Sequence, residues 1–242
     1  MQVAILAGGK GTRMGELAAA KPKLLLSVAG RPFADHMLEL LARAGVDRVA
    51  LCIGHLGEQI RAYVADGANW GLEVVYVDEG DELRGTAGAL RLASEQGVLA
   101  PEFGVIYGDS YLRFDLRRAW QRFAAADADM LMCVIRNADR WDRSNATVSG
   151  GKVTRYEKGL TDPLTEGLDH IDYGFSILAR DRTLPLLETV QPLDLADLYS
   201  KLATRGRIEA FEVRERFYEI GSPAGLAELD ELLSSSVPGG AR

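Results

Sequence analysis

Cysteine and histidine are scarce in this chain. Its two cysteines, Cys52 and Cys133, stand in apolar runs that read as strands. They are expected as buried free thiols, and a disulfide framework is excluded. Three scattered histidines, His36, His55 and His170, show neither zinc-ligand spacing nor a nucleophile–base pattern. His36 is expected on a helix surface and His55 in a loop, while His170 stands two residues before Asp172, near a candidate pocket. No apolar run approaches the ~20 residues that a membrane span needs. The N-terminus runs straight into a strand with no charged leader or cleavage site, so a cytoplasmic protein is expected. Basic residues are outnumbered, 28 Lys and Arg against 35 Asp and Glu, a net charge of −7. That balance argues against a general nucleic-acid binder, yet a local basic pocket still suits a small anionic ligand. The P-loop pattern G-x-x-x-x-G-K-[ST] is missing as well, because no Lys-Ser or Lys-Thr follows the glycines at that spacing.

What the chain does have is concentrated between Ala4 and Arg31, AILAGGKGTRMGELAAAKPKLLLSVAGR. A short apolar strand, Gln2 to Ala7, breaks at Gly8-Gly9 and continues as Lys10-Gly11-Thr12-Arg13. A second basic cluster follows at Lys21-Pro22-Lys23. A buried strand that ends in glycines leaves backbone N–H groups unpaired, and without Cβ atoms a phosphate can approach them closely. Arg13 and Lys23 then add full positive charge where a polyphosphate would lie. The chemistry suits a nucleoside triphosphate.

Strand-like and helix-like segments alternate through the first half. Apolar spacing predicts helices over 33–43, 57–65, 86–96 and 116–125, and strands over 48–53, 73–77, 103–107 and 130–135. Repeated strand–helix–strand units imply a mostly parallel sheet with helices on both faces, whose ligands bind beyond the carboxyl ends of the strands. After about residue 140 the strands shorten: 146–149, 152–157, 171–179, 208–212 and 217–220, with helices over 193–203 and 223–233. Ser222 and Pro223 read as the N-cap and first residue of the last helix. Residues 234–242 are small and polar and are expected to fray. With 242 residues and no linker, one domain is expected, with a nucleotide-binding half to about 135 and a second half over about 136–233.

Five further clusters carry chemistry. Tyr107-Gly108-Asp109-Ser110 puts a carboxylate just past a strand, where magnesium bridging phosphate oxygens could be held. Phe217-Tyr218-Glu219-Ile220-Gly221 offers a second carboxylate. Gly85-Thr86-Ala87-Gly88-Ala89 starts a helix with small residues, which let a ligand pack against the backbone. Glu157-Lys158-Gly159 and Asp172-Tyr173-Gly174-Phe175 bound strands in the second half, and Asp172 can accept hydrogen bonds from hydroxyls.

L-A-G-G-x-G-T-R, Lys-Pro-Lys and Val28-Ala29-Gly30-Arg31-Pro32 together resemble the signature of the sugar-1-phosphate nucleotidyltransferases. The resemblance extends over nearly the whole chain and implies a three-layer α/β/α, Rossmann-like fold around a central mixed sheet. It implies that Leu6, Ala7, Gly8, Gly9, Gly11, Thr12, Arg13, Lys23, Gly85, Thr86, Gly88 and Asp109 bind the nucleotide. Arg13 and Lys23 become the catalytic pair, because Lys23, eight positions before Arg31, matches the family's lysine and Lys21 does not. Asp109 and Glu219 become ligands of Mg²⁺, with Glu219 standing where the family has Asp. Lys158, Glu157, Asp172, Gly174 and Tyr107 fall on the side of the sugar phosphate. Tyr107 departs from the family's small or amide residue, and Asp172-Tyr173 from its Asn-Ala. An NTP and a sugar 1-phosphate are the expected partners, with no nucleic acid or membrane, for a monomer or homodimer. The short length is similar to heptose 1-phosphate guanylyltransferases and N-acetylmuramate 1-phosphate uridylyltransferases, with the heptose branch preferred. Another sugar's uridylyl- or thymidylyltransferase, a phosphocholine cytidylyltransferase with an aromatic cage of Tyr111, Trp141 and Tyr173, and a non-catalytic protein of the same fold remain as alternatives.

Overall fold

A computed structural model of the chain describes residues 1–80, 82, 84–188 and 192–235, with residues 16–18 described by their backbone alone. Of the tail expected to fray, Ser234 and Ser235 instead end the last helix, and residues 236–242 lie outside the described residues. The chain opens with β1 (Gln2–Leu6), and short 3-10 segments over Thr12–Ala18 and Lys23–Leu25 lead into a small hairpin, β2 (Ser27–Val28) and β3 (Arg31–Pro32). Then come α1 (Phe33–Arg43), β4 (Arg48–Ile53), α2 (Gly57–Val64), β5 (Glu73–Asp78), α3 (Thr86–Glu95), β6 (Glu102–Tyr107), β7 (Ser110–Tyr111) and α4 (Leu116–Ala125). The second half runs β8 (Met130–Arg136), β9 (Ala146–Ser149), β10 (Lys152–Tyr156), β11 (His170–Ala179), α5 (Arg180–Thr183), α6 (Leu195–Thr204), β12 (Ile208–Glu212), β13 (Tyr218–Glu219) and α7 (Pro223–Ser235).

Nine of these strands form one sheet in the order β5-β4-β1-β6-β11-β8-β12-β10-β9. The pairings β5–β4, β4–β1, β1–β6 and β8–β12 are parallel, and those of β11 and β10 with their neighbours are antiparallel. Seven of the nine strands therefore run one way, and only β11 and β10 oppose them. The sheet is mixed and mostly parallel, as expected.

Period-two alternation explains how one sheet serves two cores. In β1, Val3 and Ile5 join one apolar cluster with Phe33, Met37 and Leu38 of α1, while Ala4 joins the other with Ala87 and Leu90 of α3. All three β1 residues are fully buried, so the strand reads as a continuous apolar run. α1 buries the stripe Phe33, Ala34, Met37, Leu38 and Leu41 and ends where Gly45 takes φ +87°. Complete burial of a side chain such as Phe33 contributes about 1.5–3 kcal/mol.

β11 is the strand that holds the two halves together. It pairs with β6 from Phe175 to Ala179 and with β8 on its other side, while His170 also meets Ala146 of β9. The β8 pairing is interrupted between Asp172 and Ser176, where Gly174 adopts φ +94°. A residue with a Cβ is strained there, so the glycine allows the bulge. Several boundaries move by a residue or two, and two of the differences bear on the site. α6 starts at Leu195 because the Asp194 carboxylate accepts the Ala196 N–H at 2.9 Å and caps it there. The strand expected over 217–220 is only the two-residue β13, paired with β7. Ser222 does cap α7, accepting the Gly225 N–H at 3.1 Å.

Candidate active site

The carboxyl ends of β1, β4 and β6 meet almost without side chains. A Cβ on Gly8 would lie 2.5 Å from Glu79 Oε1, one on Gly54 would lie 3.0 Å from Gly8 O, and one on Gly108 would lie 2.9 Å from Leu6 O. At Gly108 the neighbour is backbone that cannot give way, at Gly54 the backbone approach is tight, and at Gly8 it is the movable end of the Glu79 side chain. The result is a cleft of about 280 Å³ over the strand ends, with Leu6, Ala7, Gly8 and Gly9 on one side. Lys23 and Glu79 flank it, Gly85 and Thr86 close it at the start of α3, and Tyr107 and Asp109 form the far wall. Gly85 takes φ +79° and packs so closely on the Leu193 carbonyl that a Cβ would sit 2.3 Å from its oxygen. Thr86 Oγ1 donates to Asp194 at 3.2 Å and accepts the Leu195 N–H at 2.9 Å, joining the N-termini of α3 and α6.

A second cleft of about 460 Å³ adjoins the first, and Tyr107 and Asp109 line both. Its walls carry Arg13, Lys158, Asp172, Gly174 and Glu219, together with the loop from Asp142 to Asn145. Asn145 is the organiser of that wall. Its side-chain oxygen accepts the Asp172 N–H at 2.8 Å, and its carbonyl accepts the Glu157 N–H at 2.9 Å. Asp172 in turn accepts the Gly174 N–H at 2.9 Å. Burial raises the Asp172 carboxyl above its usual range, while this N–H and the Lys158 charge pull it down.

Charge gathers where the clefts meet. Lys23 Nζ is ion-paired with Asp109 Oδ2. The Asp109 carbonyl accepts the Ile220 N–H at 2.8 Å, which draws the β13 strand and its Glu219 alongside. Glu219 opens to the cleft, yet it is enclosed by protein on its other sides. That enclosure, then the Asp109 charge, pushes its carboxyl up to about 7, and Arg13 and Lys23 act in the opposite sense. Two mutually repelling carboxylates beside a glycine loop are a donor set that fits a hard divalent cation, which takes one or two carboxylates with phosphate oxygens and water. Among the described residues no cluster of three or more His, Cys, Asp or Glu forms a self-sufficient metal cage. The pair therefore fits a cation that arrives with phosphate.

The structure brings most of the expected site residues together and moves some aside. Arg13 lies in the second cleft, beside Gly221 and Asp109. Gly11 and Thr12 lie outside both cleft linings, with Gly11 at φ +64° turning the loop. Gly88 is buried inside α3, where a Cβ would press on the Arg84 side chain at 2.7 Å, so it serves helix packing and Ala89 reaches the cleft instead. Glu157 is exposed and turned away, its carboxylate held by Arg155 at 2.8 Å. Lys158 does reach the second cleft, with Nζ 6.0 Å from the centre of the Tyr107 ring. His170 lines neither cleft and pairs with Asp169 at 2.7 Å. The aromatic cage is not there: Tyr111 and Tyr173 are buried in the core, with Tyr173 packed edge-on to Phe114 and Phe217. Cys52 and Cys133 are free and buried, as expected. Sequence reading missed Glu79, which sits in an acidic turn with no motif around it, and Asn145, which looks like any loop asparagine.

Comparison with known proteins places this geometry. The profile of the nucleotidyl transferase family matches residues 2–146. A mannose-1-phosphate guanylyltransferase of Mycobacterium tuberculosis is 31% identical over 180 residues, 74% of this chain and 49% of that protein. The low-salt glycan biosynthesis nucleotidyltransferase Agl11 of Haloferax volcanii is 26% identical over 96% of this chain and 66% of its own length. The chain spans between a third and two thirds of the length of such curated relatives. Among solved structures, a putative glucose-1-phosphate thymidylyltransferase from Bacillus anthracis superposes with a TM-score of 0.84 at 21% identity, covering 100% of this chain and 98% of that one. HddC from Yersinia pseudotuberculosis, complexed with GMP-PN, superposes with a TM-score of 0.77 at 23% identity, covering 96% and 99%. At those identities the superpositions establish the fold. With the profile covering more than half of its length, the chain belongs to the nucleotidyl transferase family.

Proposed function

We propose that the protein transfers a nucleotidyl group from an NTP to a sugar 1-phosphate, giving an NDP-sugar and pyrophosphate. One observation carries this reading: a glycine-lined cleft and a polar cleft share a wall, and the carboxylates and cations converge on that wall. A triphosphate in the first cleft and a sugar phosphate in the second would present the α-phosphorus to the attacking phosphate oxygen. That oxygen forms the new bond as the bond to pyrophosphate breaks, and no covalent enzyme intermediate is required. The protein's part is positioning and charge stabilisation. Lys23 stands beside the first cleft to hold the triphosphate, and Arg13 faces the reacting phosphates from the second. Lys158 is placed for the phosphate of the sugar and Asp172 for its hydroxyls. Asp109 and Glu219 would hold a divalent cation, Mg²⁺ being the expected one. When bound, it neutralises charge on the phosphates and the leaving pyrophosphate.

The finer reading is a guanylyltransferase for a manno-heptose 1-phosphate. The relatives support the class more broadly, since they include proteins named for mannose-1-phosphate guanylyl transfer and glucose-1-phosphate thymidylyl transfer. The test is pyrophosphate release with Mg²⁺, crossing the common NTPs with manno-heptose, mannose, glucose and N-acetylmuramate 1-phosphates. Release that needs both an NTP and a sugar phosphate is expected. Release without any sugar phosphate, or none in any combination from folded protein, would overturn the reading.

A further inference from the structure

Asp142 and Arg143 line the second cleft, and the proposed chemistry leaves both without a task. They stand on the loop between β8 and β9, which is held in one shape from within. Asn137 is its buried anchor: the side-chain oxygen accepts the Trp141 N–H at 3.1 Å, and the amide donates to the Asp142 carbonyl. Ser144 Oγ accepts the Asp139 N–H at 3.2 Å, and the Asp139 carboxylate accepts the Ser144 N–H at 2.7 Å. Ala138 and Asp139 take φ +45° and +57°, a strained backbone for residues with a Cβ, which these cross-links sustain. The Arg143 guanidinium is oriented as well. Its Nη1 donates to the carbonyls of Leu160 and Thr161 at 2.8 and 3.0 Å, which fixes the plane of the fork. Among the described residues no carboxylate pairs with it, and the edge formed by Nε and Nη2 takes no partner. Asp142 Oδ1 turns back to accept the Arg143 N–H at 2.7 Å, which leaves Oδ2 without a partner among the described residues.

We propose that Arg143 and Asp142 select the acceptor by its exocyclic tail, and that the tail they fit is a glycol, as on C6 and C7 of a manno-heptose. The inference rests on the reading of the second cleft as the sugar-phosphate site and extends it to the far end of the sugar. Lys158, with Nζ 6.0 Å from the centre of the Tyr107 ring, puts the phosphate-bearing end at the wall that the clefts share. The loop from Asp142 to Asn145 lines the second cleft alone, so the opposite end of the sugar faces it. The free guanidinium edge carries two parallel donors, which match two neighbouring oxygens. The carboxylate beside it accepts a hydroxyl proton and opposes a second anion on the sugar. Neighbouring hydroxyls satisfy both groups, since each hydroxyl donates and accepts. A hexose has one exocyclic hydroxyl and leaves half of that edge to water.

The test uses the whole protein and two acceptors with the same ring, manno-heptose 1-phosphate and mannose 1-phosphate, which differ by the one exocyclic carbon and its hydroxyl. Pyrophosphate release is measured with Mg²⁺ and each common NTP. The wild type is expected to favour the heptose by about tenfold or more in kcat/KM, the discrimination a site gains from pairing a substrate hydroxyl. In R143Q, which loses the fork, the heptose-to-mannose ratio should collapse towards one, and D142N should lower it in the same direction. Thermal unfolding shows whether each variant is folded. A side chain that only ties two loops together would lower both sugars alike and leave the ratio where it was. An unaltered ratio in folded R143Q, or equal use of the two sugars by the wild type, would overturn the inference and leave nucleotidyl transfer standing. Release with other sugar phosphates and with neither of these would overturn the manno-heptose reading along with it. Release with no sugar phosphate in any combination would overturn the proposed function itself.

Discussion

At the residue scale, the site depends on opposite charges held in contact. Asp109 touches Lys23 and adjoins Glu219, so its removal both strips the proposed cation site and frees Lys23. Asp109→Ala should lower kcat by about 10²–10³-fold or more at every Mg²⁺ concentration; steady-state assays showing near-normal turnover would remove Asp109 from the metal. Lys23 and Lys21 provide an internal control two positions apart. Lys21 is exposed and outside both clefts, whereas Lys23 faces Asp109. Lys23→Ala should cost about 10²-fold in kcat while Lys21→Ala stays close to wild type, and the reverse order would show the wrong lysine was chosen. Legibility at this scale follows from local necessity. Gly8, Asp109 and Lys23 could be read because the chain there has little chemical alternative. Glu79 could not, because it is brought to the cleft by the place of β5 beside β4 in the sheet, and nothing in its own neighbours marks it.

At the scale of elements, helix N-termini do the joining. Asp194 caps α6 and also receives the Thr86 hydroxyl at the start of α3, so one carboxylate fixes two helices. Asp194→Ala should cost about 1–2 kcal/mol, the worth of a good N-cap, or a fall in Tm of about 2–8 °C for a chain of this size. Scanning calorimetry checks this, and an unchanged Tm would mean that α3 and α6 are held by packing alone. Long amphipathic helices such as α1 and α4 were legible to the residue, because burial on one stripe leaves a period of 3.6 in the sequence. The two-residue β7 was not, and β13 was read only as part of a longer strand over 217–220, although the pair places Glu219 opposite Ser110 and so beside Asp109. Two residues are too few to show any period. The reversed direction of β11 was equally hidden, since an apolar strand reads the same whichever way it runs.

At the scale of the whole molecule, stability against pH registers the cost of burying Asp172 in the second cleft. The Asp172 carboxyl is raised in the folded state, chiefly by burial. A carboxyl raised on folding binds its proton more tightly in the native state, so its cost is absent below the unfolded pKa. The cost grows as pH rises towards the folded pKa and is full above it. Asp172→Asn keeps an acceptor for the Gly174 N–H and removes the charge. The variant should therefore unfold at a higher temperature than wild type near neutral pH, and the gain should vanish below about pH 4. A gain that instead grew in acid would contradict the direction assigned to Asp172. The continuous sheet has a different kind of consequence. Because β11 is hydrogen-bonded to β6 on one edge and to β8 on the other, the two clefts are fixed to a single rigid bar. Their spacing is a property of the backbone, indifferent to what the wall of the second cleft is made of. The wall around Asn145, in a loop, and Asp172, on β11, can thus be refitted residue by residue, like fittings on a lathe whose centres never move.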